Sequence, residues 1–258
     1  MGLLKNLFGK TSSPRIPDEV SDNTGLGRKL TSFRRKAWLP KTRAGDCSLA
    51  GSKFSGLAFI PAGQDWPRCG NCERPMQLLV QLNANDIPDD ARELLPHGIL
   101  QLFYCTSSEP QCDVDCEAFF PFSKAHLARI VEYGPSEDIR ESPVDDAFPG
   151  RSIVGWFAVI DVPNWEEAEH IGVKFEGDEA DKLADTSVPA DGEKLGGWPR
   201  WIQGIEYPNC PQCKQTMEFL FQIDSERNIP FLLGDAGIGH VTRCKAHPEI
   251  LTFGWACG

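Results

Sequence analysis

Long apolar runs are missing from this 258-residue chain. No stretch approaches the roughly 18–20 apolar residues of a spanning helix, so an integral membrane segment is excluded as an expectation. The opening Met-Gly-Leu-Leu-Lys-Asn-Leu-Phe-Gly-Lys has too short an apolar core for a leader and no small-residue cleavage site. Asn6 stands where a myristoylation signal needs Ser or Thr. A cytoplasmic location is therefore expected, where thiols stay reduced. Phosphate loops, dinucleotide-binding glycine turns, the Gly-x-Ser-x-Gly elbow and His-Glu-x-x-His are also absent, so no common catalytic motif is offered. Asp145, Asp146, Glu166, Glu167 and Glu169 read as solvated surface. The expectation is a protein that is not an enzyme and has no catalytic residues.

Charge is present but uneven. Residues 1–45 carry ten Lys/Arg against three acids (net +7), and the remaining 213 carry 16 against 34 (net −18). An acidic body suits solubility or a basic protein partner, and argues against a nucleic-acid groove. The fifteen Phe and seven Trp indicate a packed core, while twenty Pro and twenty-four Gly between short apolar runs indicate a turn-rich, β-rich architecture.

Along the chain, 1–45 reads as a basic, partly disordered appendage. Leu3, Leu4, Leu7 and Phe8 in it recur at helical spacing. Residues 46–150 read as a first half, 151–192 as a connecting strand and linker, and 193–258 as a second half. Strands are predicted at Leu78–Leu82, Ile99–Tyr104 and Leu127–Val131, and a buried strand at Ser152–Val162. Helices are predicted over Asp86–Leu95, Trp165–His170 and Glu176–Asp185.

The halves repeat one another. Lys53–Asn83 aligns without gaps on Lys194–Asp224 at an offset of 141, with nine of 31 positions identical, among them Gly56/Gly197, Cys69/Cys210, Cys72/Cys213 and Gln81/Gln222. Gly98–Cys105 then matches Gly237–Cys244 at offset 139. A duplication is the simplest cause. Gly56 and Gly197 are expected to serve special backbone angles, and Gln81 and Gln222 to be buried and bonded to backbone.

Two cysteines at i and i+3 on a tight turn can present both sulfurs to one tetrahedral ion. The repeat supplies Cys105 and Cys244 as third ligands. Continuing at offset 141 equates Cys116 with Cys257, giving the quartets Cys69/Cys72/Cys105/Cys116 and Cys210/Cys213/Cys244/Cys257. Cys112 competes with Cys105 or Cys116, and His247 with Cys257. His240 is a weaker candidate, and Cys47 is expected to be a free thiol. Two structural zinc ions are expected, because a quartet filled by protein leaves no open position. A thiol redox couple is the rival chemistry.

The phrases Ser52-Lys53-Phe54-Ser55-Gly56, Trp66-Pro67, Lys194-Leu195-Gly196-Gly197, Trp201-Ile202-Gln203-Gly204, Phe221-Gln222-Ile223-Asp224 and Gly234-Asp235-Ala236-Gly237 resemble the YwqG-like family, a mostly bacterial group of unknown function. In its duplicated, cysteine-rich layout the chain is also similar to the programmed-cell-death-protein-two-like proteins, which chaperone a ribosomal protein. These resemblances imply a β-rich α+β fold of two pseudo-equivalent, knuckle-bearing halves and supply no catalytic residue. With the acidic body they favour a protein-binding module, such as an escort for a basic client. An immunity- or antitoxin-like binder is the alternative.

Overall fold

The computed structural model describes residues 24–139, 141–186, 189–225 and 227–258. The helix expected around Leu3–Phe8 lies outside them. Ten antiparallel strands make one sheet: β1 Arg35–Ala44, β2 Lys53–Phe54, β3 Gln77–Asn83, β4 Ile99–Tyr104, β5 His126–Val131, β6 Arg151–Asp161, β7 Lys194–Gly196, β8 Glu218–Asp224, β9 Ile238–Arg243 and β10 Leu251–Ala256. The described helices are short: α1 Gly25–Leu30, α2 Cys112–Asp115, α3 Trp165–His170 and α4 Glu179–Ala184. The fold is thus β-rich rather than the expected α+β, because its described α-helices run only four to six residues beside a ten-stranded sheet. None of them is long and apolar enough to cross a membrane.

The sheet order is β10-β9-β8-β7-β1-β6-β2-β3-β4-β5. The sheet curls until its edges touch, β5 against β10. There the His126 ring lies 5.6 Å from that of Phe253, and the Phe122 amide donates to Thr252 Oγ1 at 2.6 Å. Two wings, β2-β3-β4-β5 and β7-β8-β9-β10, flank a central pair in which β1 runs against β6 from Arg35↔Asp161 to Ala44↔Arg151. The leading strands are exchanged. β1, which precedes wing one in the chain, bonds to β7 of wing two, and β6 bonds to β2 of wing one.

For its described part, 24–45, this corrects the reading of an appendage. Ala37, Trp38 and Leu39 are buried at the centre of the sheet, while Arg35, Lys36, Lys41 and Arg43 point to solvent. The basic run is therefore the polar part of a half-buried strand, with long cationic side chains covering apolar surface. The Arg35 guanidinium lies 3.4 Å from the centre of the Trp198 ring. In place of the helix expected over Asp86–Leu95 there are two 3₁₀ turns, Ala84–Asp86 at its start and Asp89–Ala91 within it. β6 is also less buried than its apolar sequence suggested, with Val154, Phe157 and Ile160 exposed.

Each wing begins with the same device. Lys53 and Lys194 are fully buried, and each pairs with an aspartate, Asp46 Oδ1 at 2.6 Å and Asp161 Oδ2 at 2.8 Å. The same aspartates accept the amides of Leu57 and Trp198, both at 3.0 Å. Gly56 and Gly197 have φ of 74° and 76°. A Cβ at either would sit 2.4 or 2.6 Å from the carboxylate oxygen, so only glycine admits the contact. The buried amides work alike too. Gln81 Oε1 accepts from Phe59 N and Gln222 Oε1 from Arg200 N, while their Nε2 groups donate to the carbonyls of Leu49 and Gly51, and of Gly192.

Candidate metal centres

The two knuckles have one backbone geometry. The Cys69 amide donates to Arg74 O and Glu73 N donates to Cys69 O, at 2.9 and 3.0 Å; Cys210 N to Gln215 O and Lys214 N to Cys210 O repeat this at 2.8 and 2.9 Å. Glu73 and Lys214 take left-handed φ values of 59° and 63°, which turn the chain back into β3 and β8. The third ligands, Cys105 and Cys244, follow immediately on β4 and β9.

The fourth ligands correct the expectation. The structure gathers Cys69, Cys72, Cys105 and Cys112 in one cluster and Cys210, Cys213, Cys244 and His247 in the other, with all donor atoms in each cluster within 4.8 Å of one another. Cys112 begins α2 in the loop after Cys105, and His247 lies in the tight turn Cys244–Ile250, which is closed by Cys244 N to Ile250 O at 3.0 Å. Cys116 and Cys257 belong to neither cluster, nor does His240 or Cys47. The offset that paired Cys116 with Cys257 fails because the loops differ in length. β4 pairs with β5 as Tyr104↔His126, and β9 with β10 as Arg243↔Leu251. Cys116 thus precedes the last strand of its wing, and Cys257 follows the last strand of the other.

The spacing suits a four-coordinate ion. Cys72 Sγ and Cys105 Sγ are 3.6 Å apart, as are Cys213 Sγ and Cys244 Sγ. His247 presents Nδ1 at 3.8 Å from Cys210 Sγ and 3.6 Å from Cys244 Sγ. A tetrahedron with metal–sulfur bonds of about 2.3 Å has edges of about 3.7 Å. A disulfide would need about 2.05 Å, and all these cysteines are free. Hydrogen bonds steady the sulfurs: Asn71 N reaches Cys69 Sγ and Asn71 Nδ2 reaches Cys112 Sγ, both at 3.4 Å.

The electrostatics are lopsided. Burial works against the Cys210 thiolate, but amides of Cys213 and Gln212 and the neighbouring thiols outweigh it and bring the group down to about 6. Burial pushes Cys244 up, as it does Cys105, and it takes Cys112 up to about 11. In the first cluster the downward shift falls on Cys72, against burial and through hydrogen bonds from the Arg74 amide and neighbouring thiols, and several thiolates in either space require a cation. The donor set fits a metal that prefers thiolate and imidazole.

One of the acids read as solvated surface is buried. Glu167, on α3, accepts from Trp201 Nε1 at 2.6 Å and Tyr207 OH at 3.1 Å.

A family model described as Domain of unknown function (DUF1963) matches residues 52–243, about three-quarters of the chain. The chain belongs to the DUF1963 family. The DUF1963 match runs from the residue before β2 to the end of β9, so it takes in both knuckles and all of the first cluster. A 43-residue segment is 46% identical to "Uncharacterized protein YpfL" of Salmonella typhimurium (strain LT2); it is 17% of this chain and 10% of that protein. Neither description names the YwqG-like or programmed-cell-death-protein-two-like proteins.

Proposed function

We propose that this DUF1963 protein holds two structural zinc ions and acts as a non-enzymatic protein-binding module. The observation that carries the metal assignment is the closure of each cluster by four protein donors at tetrahedral separations. A filled shell leaves no position for water or substrate, which supports a structural ion over a catalytic one. Zinc is favoured because three or four thiolates with imidazole suit a borderline-soft ion without redox chemistry. Purified under reducing, chelator-free conditions, the protein should contain two zinc per chain by elemental analysis. Substantially less, or two iron instead, defeats the assignment.

Binding of a basic protein client is supported by the net charge of −11. Native capture should recover one stoichiometric basic protein, released by raised salt. Recovery of none sinks this part of the proposal. Thiols that react freely in the metal-loaded protein would instead favour the redox alternative.

A further inference from the structure

Wing two contains a cleft of about 440 Å³ between β9, β10 and the 119–121 loop, walled by Phe119, Phe120, Trp201 and Tyr207. His240 and Thr242 on β9 form its floor, 6% and 2% exposed. His240 Nε2 and Thr242 Oγ1 are both buried without a hydrogen-bond partner. Buried polar atoms are rarely left so, and each one calls for an explanation. Glu206 stands at the mouth.

Wing one shows what such a place holds. His240 pairs with Gln222 and with Gly254, just as Gln101 pairs with Gln81 and with Arg129. Arg129 therefore occupies the position corresponding to Gly254. Its Nε donates to Gln101 Oε1 at 2.9 Å, its Nη1 donates to Gln64 Oε1 at 3.1 Å, and its guanidinium lies 5.5 Å from the centre of the Phe103 ring. In wing two the arginine is replaced by a hydrogen atom, Phe103 by Thr242 and Gln101 by His240. His240 and Thr242 stand where the amide acceptor and the ring were, the rings of Phe119, Phe120, Trp201 and Tyr207 form the walls, and the chain's own cation is gone.

We propose that the wing-two cleft binds a guanidinium group supplied from outside the chain, in the place that Arg129 fills in wing one. A guanidinium is flat, stacks on aromatic faces and carries only donors. The cleft offers rings together with acceptors. His240 is neutral, since burial pushes it down to about 3, and its ring also faces the Arg200 carbonyl. With its proton directed to that carbonyl, Nε2 turns a lone pair to the cleft. Thr242 Oγ1 can accept as well, and the Glu206 carboxylate adds charge at the entrance. A compact ammonium would lack the flat donor edge and the stacking face.

The test is titration of the metal-loaded full chain with agmatine and with an Arg-centred blocked tripeptide, against n-butylammonium and the Lys-centred tripeptide. Tryptophan fluorescence and the ¹⁵N shift of His240 Nε2 are the readouts. Saturable changes in both signals are expected with the guanidinium probes, at least about tenfold tighter than with the ammonium ones. Tighter binding of the Arg tripeptide than of agmatine marks a protein side chain as the source, and the reverse marks a free small molecule. Gly254→Arg places a side chain against Phe119 O and Pro121, whose atoms lie 3.2 and 3.4 Å from its Cβ, and in a folded variant should abolish binding. Glu206→Gln, at the exposed mouth, should weaken it several-fold without disturbing the fold. Equal response to butylammonium, no saturable response to either guanidinium probe, or unchanged binding in Glu206→Gln and in a folded Gly254→Arg overturns the proposal. Zinc content is measured on the same samples, so loss of this site and loss of the metal assignment are told apart.

Discussion

Wing one closes its cysteine cluster with a fourth sulfur and its sheet face with an arginine; wing two uses a histidine and leaves a cleft. Both share the knuckle bonds, the left-handed residue after it, and the buried lysine with its glycine-gated aspartate. What differs is side chains at Cys112/His247 and Arg129/Gly254, and the buried pair Ser52/Glu193, which stand at corresponding positions just before β2 and β7. The two wings thus share the bonds that shape the knuckle and the lysine–aspartate pair, and differ at the fourth donor of each cluster and at the cleft.

The comparison breaks most sharply at the knuckles. Cys69→Ser and Cys210→Ser should each lower bound zinc from two to one per chain and cost on the order of 5–10 kcal/mol, read by elemental analysis and urea unfolding. Because the wings share one sheet, either variant should unfold in one transition rather than lose only its own wing.

The lysines should separate the wings next. Lys194→Met strands the fully buried Asp161 charge and should cost about 3–5 kcal/mol. Lys53→Met leaves Asp46 with 35% of its side chain exposed, so solvent should reduce the loss to about half that. Equal losses in denaturant unfolding would show that exposure does not set the cost.

Glu193 distinguishes wing two by pH. Burial first, then the Asp224 charge, raises it to about 7 from an ordinary 4.5. Between those values the native state binds the extra proton, so its contribution to stability falls as pH rises through the window. Relative to wild type, Glu193→Gln should gain stability between pH 5 and 7.5, by about 3 kcal/mol at most. A constant difference between the two pH curves would contradict this assignment.

The smallest effects belong to the displaced ligand candidates. Cys116→Ser and Cys257→Ser should keep two zinc per chain and change stability by no more than about 0.5 kcal/mol. Loss of an ion in either would restore the quartets read from the repeat.

Three ligands of each cluster were legible because they lie on the repeated frame, at the knuckle and at the end of the following strand. The fourth was not, since Cys112 and His247 sit in loops of unequal length, where a constant offset has no meaning. Local order supplies the signal that was missed: each fourth ligand is in the loop directly after its third. β3, β4, β5 and β6 followed from apolar runs, and α3 and α4 fell in the two polar segments read as helical. β1 did not, because its buried residues number three amid charges, and its partners are far off in the chain. The cleft was invisible, since only the strand pairing brings Gly254 opposite His240.

The exchange of β1 and β6 has a consequence in time. As the protein is synthesised, β1 emerges early but has nothing to pair with until residues 151–161 and 194–196 have followed. Wing one meanwhile waits for β6 to cover the open edge of β2. Such delayed, non-local pairing is slow and leaves strand edges unprotected. Lys36, Lys41 and Arg43 sit on that waiting strand, and charge on an unpaired edge discourages the wrong neighbour. Charges at these positions suit a strand whose partners all lie more than a hundred residues further along the chain.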